Sequence, residues 1–230
     1  MKLNRELLVD NKPYPVIDEW VVLSLSTPGR AQFTVDANDQ PIKPRQLVAF
    51  QIGYTQQKTM SRLFFGYVES VTDIDRRQRL FCRELSAVLN NPLPLNLRHV
   101  KLTSVLAEIT RLTGLKFSVP DMPYASTHVA NFYNLGNGYQ ALDRIQSVFS
   151  IDDYFWQQQG HGVIYVGSWT DSRWSSRAAD ISPRLFDQQT NETARVAAIP
   201  MLRPGVALNG HRVVDLQFKD NHMEVSWKVQ

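Results

Sequence analysis

Apolar and polar residues alternate along the first part of the chain, which is the pattern of β-strands with one buried face. The segments that show it are EWVVLSLS, AQFTVDA, QLVAFQIGYT, MSRLFFGYVESVTDI and QRLFCREL. No helical period separates them, so about five or six antiparallel strands are predicted over residues 1–95. A small curved sheet of this kind buries its apolar face best by closing into a barrel.

Two glycines are predicted to shape these strands. Thr27-Pro28-Gly29-Arg30 lies between the first two segments, and proline followed by glycine at the central positions favours a type II turn. The two segments are therefore predicted to form a β-hairpin. Gly66 marks a place where a long strand bends or bulges.

The apolar pattern changes to a helical period after residue 97. In KLTSVLAEITRLTGL the apolar residues share one helical face, and Gly114 stands where a C-terminal cap belongs. A second helix is predicted in YQALDRIQSVFSI. Strands predicted in KFSVP, THVANFYNL, DYFWQQQ and GVIYVGSW, the last two joined by a turn at GHG, complete an α/β domain over residues 97–168. The two prolines of NNPLPLNLRH, residues 90–99, indicate a domain linker before it.

Strand patterns return after Trp169, in ARVAAIP, in AIPMLRPGVALNGHRVVDLQF and in MEVSWKV. Pro204-Gly205 suits a turn, and Asn209-Gly210 is a strong hairpin signal. These strands are too few to bury a core alone. Residues 170–230 are therefore predicted to complete the first barrel or to form a second one against it. The predicted fold class is α+β, mainly antiparallel β, with two barrel-like parts and an inserted α/β domain.

Composition and charge narrow the classes of function. The 230 residues are 43% apolar and 20% charged, as in an ordinary globular protein, and the formal net charge is +3. No apolar run approaches the roughly 20 residues of a membrane helix, and no signal-peptide core follows Met1, so a soluble protein made in the cytoplasm is expected. Basic and acidic residues nearly balance in each of the three segments, which does not indicate a nucleic-acid partner. Arg77, Arg79 and Arg83 share one strand face, which is typical of a solvated surface.

The chain offers few candidates for metal binding or nucleophilic catalysis. Its histidines are scattered without a metal-ligating spacing: His99, His128, His161, His211 and His222. The single cysteine, Cys82, excludes an internal disulfide and a cysteine-rich zinc site, and its pattern predicts a buried strand residue. No serine stands in a GxSxG motif.

Other candidates have simpler structural explanations. Asp152 and Asp153 are adjacent, which suits a turn better than an acid pair. NLGNGYQ lacks the spacing of a phosphate-binding loop. An aromatic string able to stack on sugars or bases is interpreted as core packing: Tyr154, Phe155, Trp156, Tyr165, Trp169 and Trp174. The sequence thus predicts no catalytic, cofactor-binding or metal-binding residues, and a protein that is not an enzyme.

Several stretches, taken in their order, resemble the hub proteins of phage tail baseplates, including those of Mu-like prophages. The stretches are FFGYVESVTD, LFCREL, the proline-containing residues 90–99, KLTSVLAEITRLTGLKF, NGYQALDRIQSVFSIDDYFWQQQGHGVIYVGS and IPMLRPGVALNGHRVVDLQF. The resemblance implies barrel-like domains related to the tail-tube fold, with a small α/β domain inserted between them. It also implies a structural role in the virion, connecting the tail tube to the tip or spike.

The same resemblance implies an assembly and partners. Three subunits make a ring with pseudo-sixfold symmetry, so a homotrimer is expected, with a tail tube protein and a separate spike or tip protein as partners. The phage DNA passes through the ring without specific binding, and no cofactor is implied.

Two alternatives stay open. The middle segment also resembles the N-terminal domains of secretins and related outer-membrane transporters, which are periplasmic ring modules. A cell-wall-degrading tail enzyme is a third class, but it would need a paired acid that the sequence does not show.

Overall fold

The computed structural model describes residues 2–37, 40–56, 59–176, 178–182, 184 and 186–228. The helical elements are α1 (Leu102–Thr113), α2 (Pro123–Ser126), α3 (Gly138–Val148) and a 3-10 helix at Leu85–Asn90. The strands are β1 (Leu3–Val9), β2 (Lys12–Tyr14), β3 (Val16–Ser24), β4 (Thr27–Asp36), β5 (Leu47–Tyr54), β6 (Ser61–Ile74), β7 (Arg77–Glu84), β8 (Leu95–Lys101), β9 (Lys116–Ser118), β10 (His128–Asn134), β11 (Tyr154–Gln158), β12 (Val163–Ser168), β13 (Ala178–Ala179), β14 (Phe186–Gln189), β15 (Thr193–Ala197), β16 (Ala207–Leu208), β17 (His211–Lys219) and β18 (His222–Trp227).

Within the described residues, thirteen strands form one sheet. Its order is β14-β15-β18-β17-β3-β4-β7-β6-β5-β1-β2, with β16 beside β17 and β13 beside β16. The two ends of the chain meet where β17 pairs antiparallel with β3, in a register that places Phe218 opposite Val21. The mainly antiparallel α+β class is confirmed. In the described part of the chain the path ends at β14 and β2, so no closed barrel is detected.

One apolar core serves both ends of this sheet. Phe50 of β5 contacts Phe33 of β4 at a ring-centroid distance of 5.0 Å and Phe218 of β17 at 5.9 Å. All three rings are fully buried. The C-terminal strands therefore continue the first sheet and bury their apolar side chains against it.

The middle of the chain forms an α/β module with a second core. Its strands make a two-stranded sheet of β8 and β10 and a three-stranded sheet of β11, β12 and β9. Helices α1 and α3 pack against them through Leu106, Ile109, Leu142 and Ile145. Both helices were predicted from their apolar periods, and both are confirmed. Gly114 ends α1 with φ of 75°, as a C-terminal cap requires.

The linker prediction for residues 90–99 is wrong for most of that segment. Leu93 and Leu95 are buried in the core of the module, and β8 begins at Leu95. Pro92 and Pro94 precede the strand, where their missing N–H groups cost no ladder hydrogen bond. The prolines thus mark the entry of a strand.

The first hairpin is confirmed, but its turn is not at Thr27-Pro28-Gly29-Arg30. Ser24 pairs with Thr27, so Leu25 and Ser26 form the turn, and Ser26 has φ of 54°. Gly29 lies inside β4, where an added Cβ would stand 2.6 Å from Leu23 Cδ2. Close packing, and not turn geometry, explains this glycine.

The other turn predictions are confirmed. Asn209 and Gly210 have φ of 48° and 80° and join β16 to β17. The GHG turn joins β11 to β12, with Gly162 at φ of 89°. The bulge predicted at Gly66 is not at this residue, because Gly66 is in register with Val48 and Glu84 and the register shifts of β6 lie elsewhere along the strand. Gly66 lies against the backbone of β7, where a Cβ would meet the Arg83 carbonyl oxygen at 1.9 Å.

Candidate interaction site

The histidines stand apart in the structure. His211 stacks on Trp227 with ring centroids 4.9 Å apart, and His222 lies 3.3 Å from Asp187. His161 is exposed in the turn between β11 and β12. Among the described residues, no group of three or more His, Cys, Asp or Glu side chains is placed to hold a metal ion.

Asp152 and Asp153 lie in the turn between α3 and β11, as their pattern predicts. Asp153 has φ of 47°, and its carboxylate accepts a 2.6 Å hydrogen bond from Arg212 of β17. The guanidinium of Arg212 also lies over the rings of Phe155 and Trp169, at 5.1 and 5.0 Å. This contact attaches the module to the sheet.

The arginines of β7 and Cys82 have the exposure and burial that the strand pattern predicts. Arg77 and Arg79 are exposed and Arg83 is half-buried, while the alternating residues Gln78, Leu80 and Cys82 are buried. Cys82 is fully buried, and burial raises the pKa of its thiol far above the ordinary value.

The aromatic string is core, as interpreted from the sequence. Phe155, Tyr165 and Trp174 form a small cluster with ring centroids 5.1–5.6 Å apart. Trp169 packs beside it and donates its indole N–H to the Gly205 carbonyl at 2.7 Å. The cluster joins the module to the C-terminal segment.

A buried ion pair lies next to this cluster, at the junction of the three parts of the chain. Arg203, from the loop before β16, donates through Nη2 to Glu84 at the end of β7 (3.3 Å) and to the Gln158 carbonyl at the end of β11 (3.1 Å). Its Nη1 donates to the Leu63 carbonyl of β6. The other carboxylate oxygen of Glu84 accepts from the Gly29 amide at 2.7 Å. One side chain thus links β6, β7 and β11.

The Gln158 side chain adds two more contacts at the junction. Its amide oxygen accepts from the Ser86 amide at 2.9 Å, and its nitrogen donates to the Phe65 carbonyl at 2.7 Å. The module is therefore fixed to the N-terminal strands by side-chain hydrogen bonds as well as by packing.

Burial sets the electrostatics of this pair. Desolvation raises the pKa of the Glu84 carboxyl above its ordinary value, while Arg203 and the Gly29 amide act in the opposite direction. Desolvation likewise lowers the pKa of Arg203. Such a pair is costly to bury, so the loss of either partner leaves an uncompensated charge.

A groove of about 390 Å³ opens beside the ion pair. It lies between the start of β6, the β11–β12 turn and the C-terminal loop. Its lining residues are Ser61, Arg62, Gly160, His161, Arg173, Trp174, Ala178, Ala179, Ile199, Pro200, Met201, Leu202, Arg203 and Val206. Met201 is 70% exposed, the largest exposed apolar side chain of the groove.

The groove is cationic on its rim. Partial desolvation is the main cause that lowers the pKa of His161 below its ordinary value, and the charges of Arg173, Arg203 and Arg62 act in the same direction. Among the described residues that line the groove, none is an aspartate or a glutamate. The groove therefore combines an apolar floor with guanidinium groups.

Sequence reasoning did not find this groove. Arg62, Arg173 and Arg203 lie in three different segments of the chain and show no shared motif. The GHG turn, Trp174 of the aromatic string and the Pro204-Gly205 turn fell at or close to the site, but none of them was interpreted as part of a groove. No helix in the described ranges combines the length and the apolar character needed to cross a membrane.

No model of a known protein family matches the chain. An uncharacterized 58.7 kDa protein of Haemophilus phage HP1 is 29% identical over 227 residues. The match covers 98% of this chain and 42% of the phage protein, so the chain spans less than half of that relative's length.

Solved structures share the fold over almost the whole chain. The 43 kDa tail protein of prophage MuSo2 from Shewanella oneidensis has a TM-score of 0.70 at 11% identity and covers 97% of both chains. A tail protein from Neisseria meningitidis has a TM-score of 0.70 at 10% identity and covers 100% of this chain and 97% of the other.

A third neighbour is the Escherichia coli c3393 protein, described as a type VI secretion component with structural similarity to the T4 tail proteins gp27 and gp5. Its TM-score is 0.63 at 13% identity, covering 98% of this chain and 76% of that one. The chain has the fold of phage and prophage tail proteins. The resemblance drawn from the order of the sequence motifs is confirmed at this level.

Proposed function

We propose that this chain is a structural, non-enzymatic hub component of a phage or phage-derived tail, connecting the tail tube to the tip or spike around the DNA channel. The observation that carries the proposal is the agreement of fold with two tail proteins over nearly the full length of both chains. A match of this extent includes the sheet, the inserted module and the connection between them.

Features of the sheet and of the phage relative support a tail role. The sheet combines strands from both ends of the chain, and the module between them is attached at Arg203 and Arg212. The relative at 29% identity comes from a phage. We propose three units, residues 1–95, 97–168 and 170–230, of which the first and third share one sheet, while Leu93 and Leu95 at the end of the first pack in the core of the second.

The finer assignment concerns assembly. A hub that joins a sixfold tube to a threefold spike has to match both symmetries. A homotrimer whose subunits each present two similar parts meets this requirement. The interfaces of such a ring are head-to-tail and must close. Phage DNA passes through the ring without specific binding, and the near balance of charge agrees with this role.

Location in the particle is the first test. The gene is inactivated in its phage or prophage, and particles are examined by electron microscopy with antibody-gold labelling of the complemented strain. We expect label at the end of the tail tube and loss of complete tails in the mutant. Normal, infective tails without this chain would contradict the proposal.

Oligomeric state is the second test. Light scattering measures the purified protein alone and then with its tail tube and spike partners. We expect a trimer at least in the presence of the partners. A stable monomer under both conditions, or a ring of twelve or more subunits as in secretin-type modules, would refute the hub assignment.

Enzymatic activity is tested on purified peptidoglycan by the fall in turbidity. We expect no hydrolysis by the protein. Hydrolysis that disappears in Asp152→Asn or Asp153→Asn would overturn the non-enzymatic part of the proposal and favour a cell-wall-degrading tail enzyme.

A further inference from the structure

We propose that Asn209 is a site of spontaneous deamidation, and that this reaction releases residues 178–182 from the turn between β16 and β17. An asparagine followed by glycine is chemically labile, because glycine has no side chain to hinder an attack by its own backbone nitrogen. The proposal concerns the chemistry of one turn. It goes beyond the hub role and does not depend on it.

The chain contains two Asn-Gly pairs, and the structure places them in opposite environments. Asn137-Gly138 opens α3, where the Asn137 side chain accepts from the Gln140 amide at 3.0 Å and Gly138 is buried. A Cβ on Gly138 would stand 2.6 Å from Leu89 Cδ2, so this backbone is tightly packed. The helix and its cap therefore hold both reacting groups of this pair in place.

The Asn209-Gly210 pair lies in an open turn. Gly210 is exposed, and a Cβ on it would meet no atom within 4 Å. Among the described residues, no acceptor is found for the Gly210 N–H. The nitrogen that would attack the side chain is therefore neither covered by packing nor held by a hydrogen bond.

The Asn209 side chain fastens this turn to residues 178–182. Its Oδ1 accepts from the Ile181 amide at 2.7 Å, and its Nδ2 donates to the Ile181 carbonyl at 2.9 Å. The segment is otherwise attached by the short pairing of β13 with β16 and by the packing of Ala179 and Ile181 on the sheet core. Ala178 and Ala179 also line the groove beside Arg203, so this contact supports one wall of the groove.

The reaction begins when a local opening of the turn frees the Asn209 side chain from Ile181. The Gly210 nitrogen then attacks Cγ of Asn209, loses its proton and forms a succinimide ring. The bond between Cγ and Nδ2 breaks, and this nitrogen leaves as ammonia with the added proton. Water opens the ring and leaves an aspartate or an isoaspartate at position 209.

The product cannot restore the contact with Ile181. The nitrogen that donated to the Ile181 carbonyl is replaced by an oxygen, and two acceptors at this distance repel each other. In the isoaspartate product the main chain is also longer by one methylene group, which the geometry of a tight turn does not accommodate. The opening of the segment is therefore reversible before the reaction and permanent after it.

Peptide mapping by mass spectrometry measures deamidation at both pairs in one sample. The full chain is incubated in mildly alkaline buffer, once folded and once unfolded in urea. We expect both asparagines to convert at similar rates in urea, and Asn209 to convert several-fold faster than Asn137 in the folded protein. Equal protection of the two asparagines in the folded protein, or faster conversion of Asn137, would overturn the proposal.

Hydrogen exchange tests the release of the segment. Converted protein is compared with fresh protein, and we expect faster exchange in residues 178–182 and unchanged exchange in α1. Asn209→Asp should show the same faster exchange without incubation. Asn137→Asp, which keeps the acceptor of the α3 cap, is the matched control and should leave exchange in residues 178–182 unchanged.

Unchanged exchange in residues 178–182 after complete conversion of Asn209 would show that the side chain does not hold the segment, and would overturn that part of the proposal. Thermal unfolding of both variants checks that the fold is intact. All these measurements use the isolated chain. A failure here therefore leaves the hub proposal standing, and the reverse also holds.

Discussion

The core of the α/β module is built from neighbours in the chain, whereas the core of the large sheet is built from both ends of it. In the module, α1 and α3 pack on strands that directly precede or follow them. In the sheet, β17 reaches β3 only after the whole module has been inserted between them. Closing so long a loop costs chain entropy, although the cost grows only slowly with length.

Contacts between the module and the sheet therefore matter more for the sheet than for the module. The module can bury its core from local contacts, but the sheet needs the two chain ends to be held together. Contacts between the module and the sheet help to hold the two ends together. The Ser26 amide donates to the Trp156 carbonyl at 3.0 Å, and Arg203 donates to both Glu84 and Gln158.

Phe218→Ala should have the largest effect. The side chain is fully buried on β17 and contacts Phe50 from the other end of the chain. Loss of such a ring costs about 3–5 kcal/mol of the free energy of unfolding. Urea denaturation measures the cost, and hydrogen exchange should show lost protection in both β3–β7 and β15–β18.

The matched variant in the module is Ile145→Ala, which removes a fully buried side chain from α3. Its cost is about 2–5 kcal/mol, and protection should be lost mainly between residues 95 and 168. If Phe218→Ala left the N-terminal strands protected, the sheet would not be one cooperative unit.

Gly29→Ala should have a smaller effect on the sheet. The added Cβ would stand 2.6 Å from Leu23 Cδ2 and 2.9 Å from Glu84 Cδ, so the strands or the ion pair must shift. Overpacking of this kind costs about 1–3 kcal/mol. The melting temperature should fall. Ser26→Gly, in the turn of the same hairpin at φ of 54°, should leave it unchanged or raise it.

Asn137→Ala should have an effect of about 1 kcal/mol, confined to the module. Asn137 caps α3 by accepting from the Gln140 amide at 3.0 Å, and the Gln140 side chain accepts from the Asn137 amide. Urea denaturation measures the loss. Asn137→Asp keeps the acceptor and should retain most of the stability, and an equal loss in both variants would argue against the cap.

Cys82 provides the mildest probe, because it needs no substitution. The thiol is buried in the sheet core, and burial raises its pKa, so it should not react with a disulfide reagent at pH 8 in the folded protein. Reaction should appear with unfolding in urea. Phe218→Ala should accelerate it more than Ile145→Ala does, and rapid reaction of the unmodified protein without denaturant would contradict the placement.

Much of the local structure follows from the sequence. The apolar period of residues 102–113 gives α1, Gly114 ends it, and Asn209-Gly210 turns β16 into β17. These elements depend on residues close to one another in the chain, so they can be predicted without knowledge of the fold. The same locality made the aromatic residues around Phe155 recognisable as core.

Contacts between distant segments account for the errors. Gly29 was interpreted as a turn glycine, but it is required by Glu84 and Leu23, which lie elsewhere in the sheet. Residues 90–99 were interpreted as a linker because prolines break regular structure, although Leu93 and Leu95 belong to the module core. Propensity describes the chain locally and cannot report which surface a segment meets.

The fold class, α1 and α3, most turns and the burial of Cys82 follow from the sequence alone, because hydrophobic period and turn chemistry act over a few residues. Three features are visible only in the folded chain: β17 pairs with β3 in one sheet, Arg203 links three parts of the chain, and Arg62 and Arg173 face one groove. These features arise from the packing of surfaces far apart in the chain, where strand pairing and burial depend on the whole fold and no local pattern records the partner.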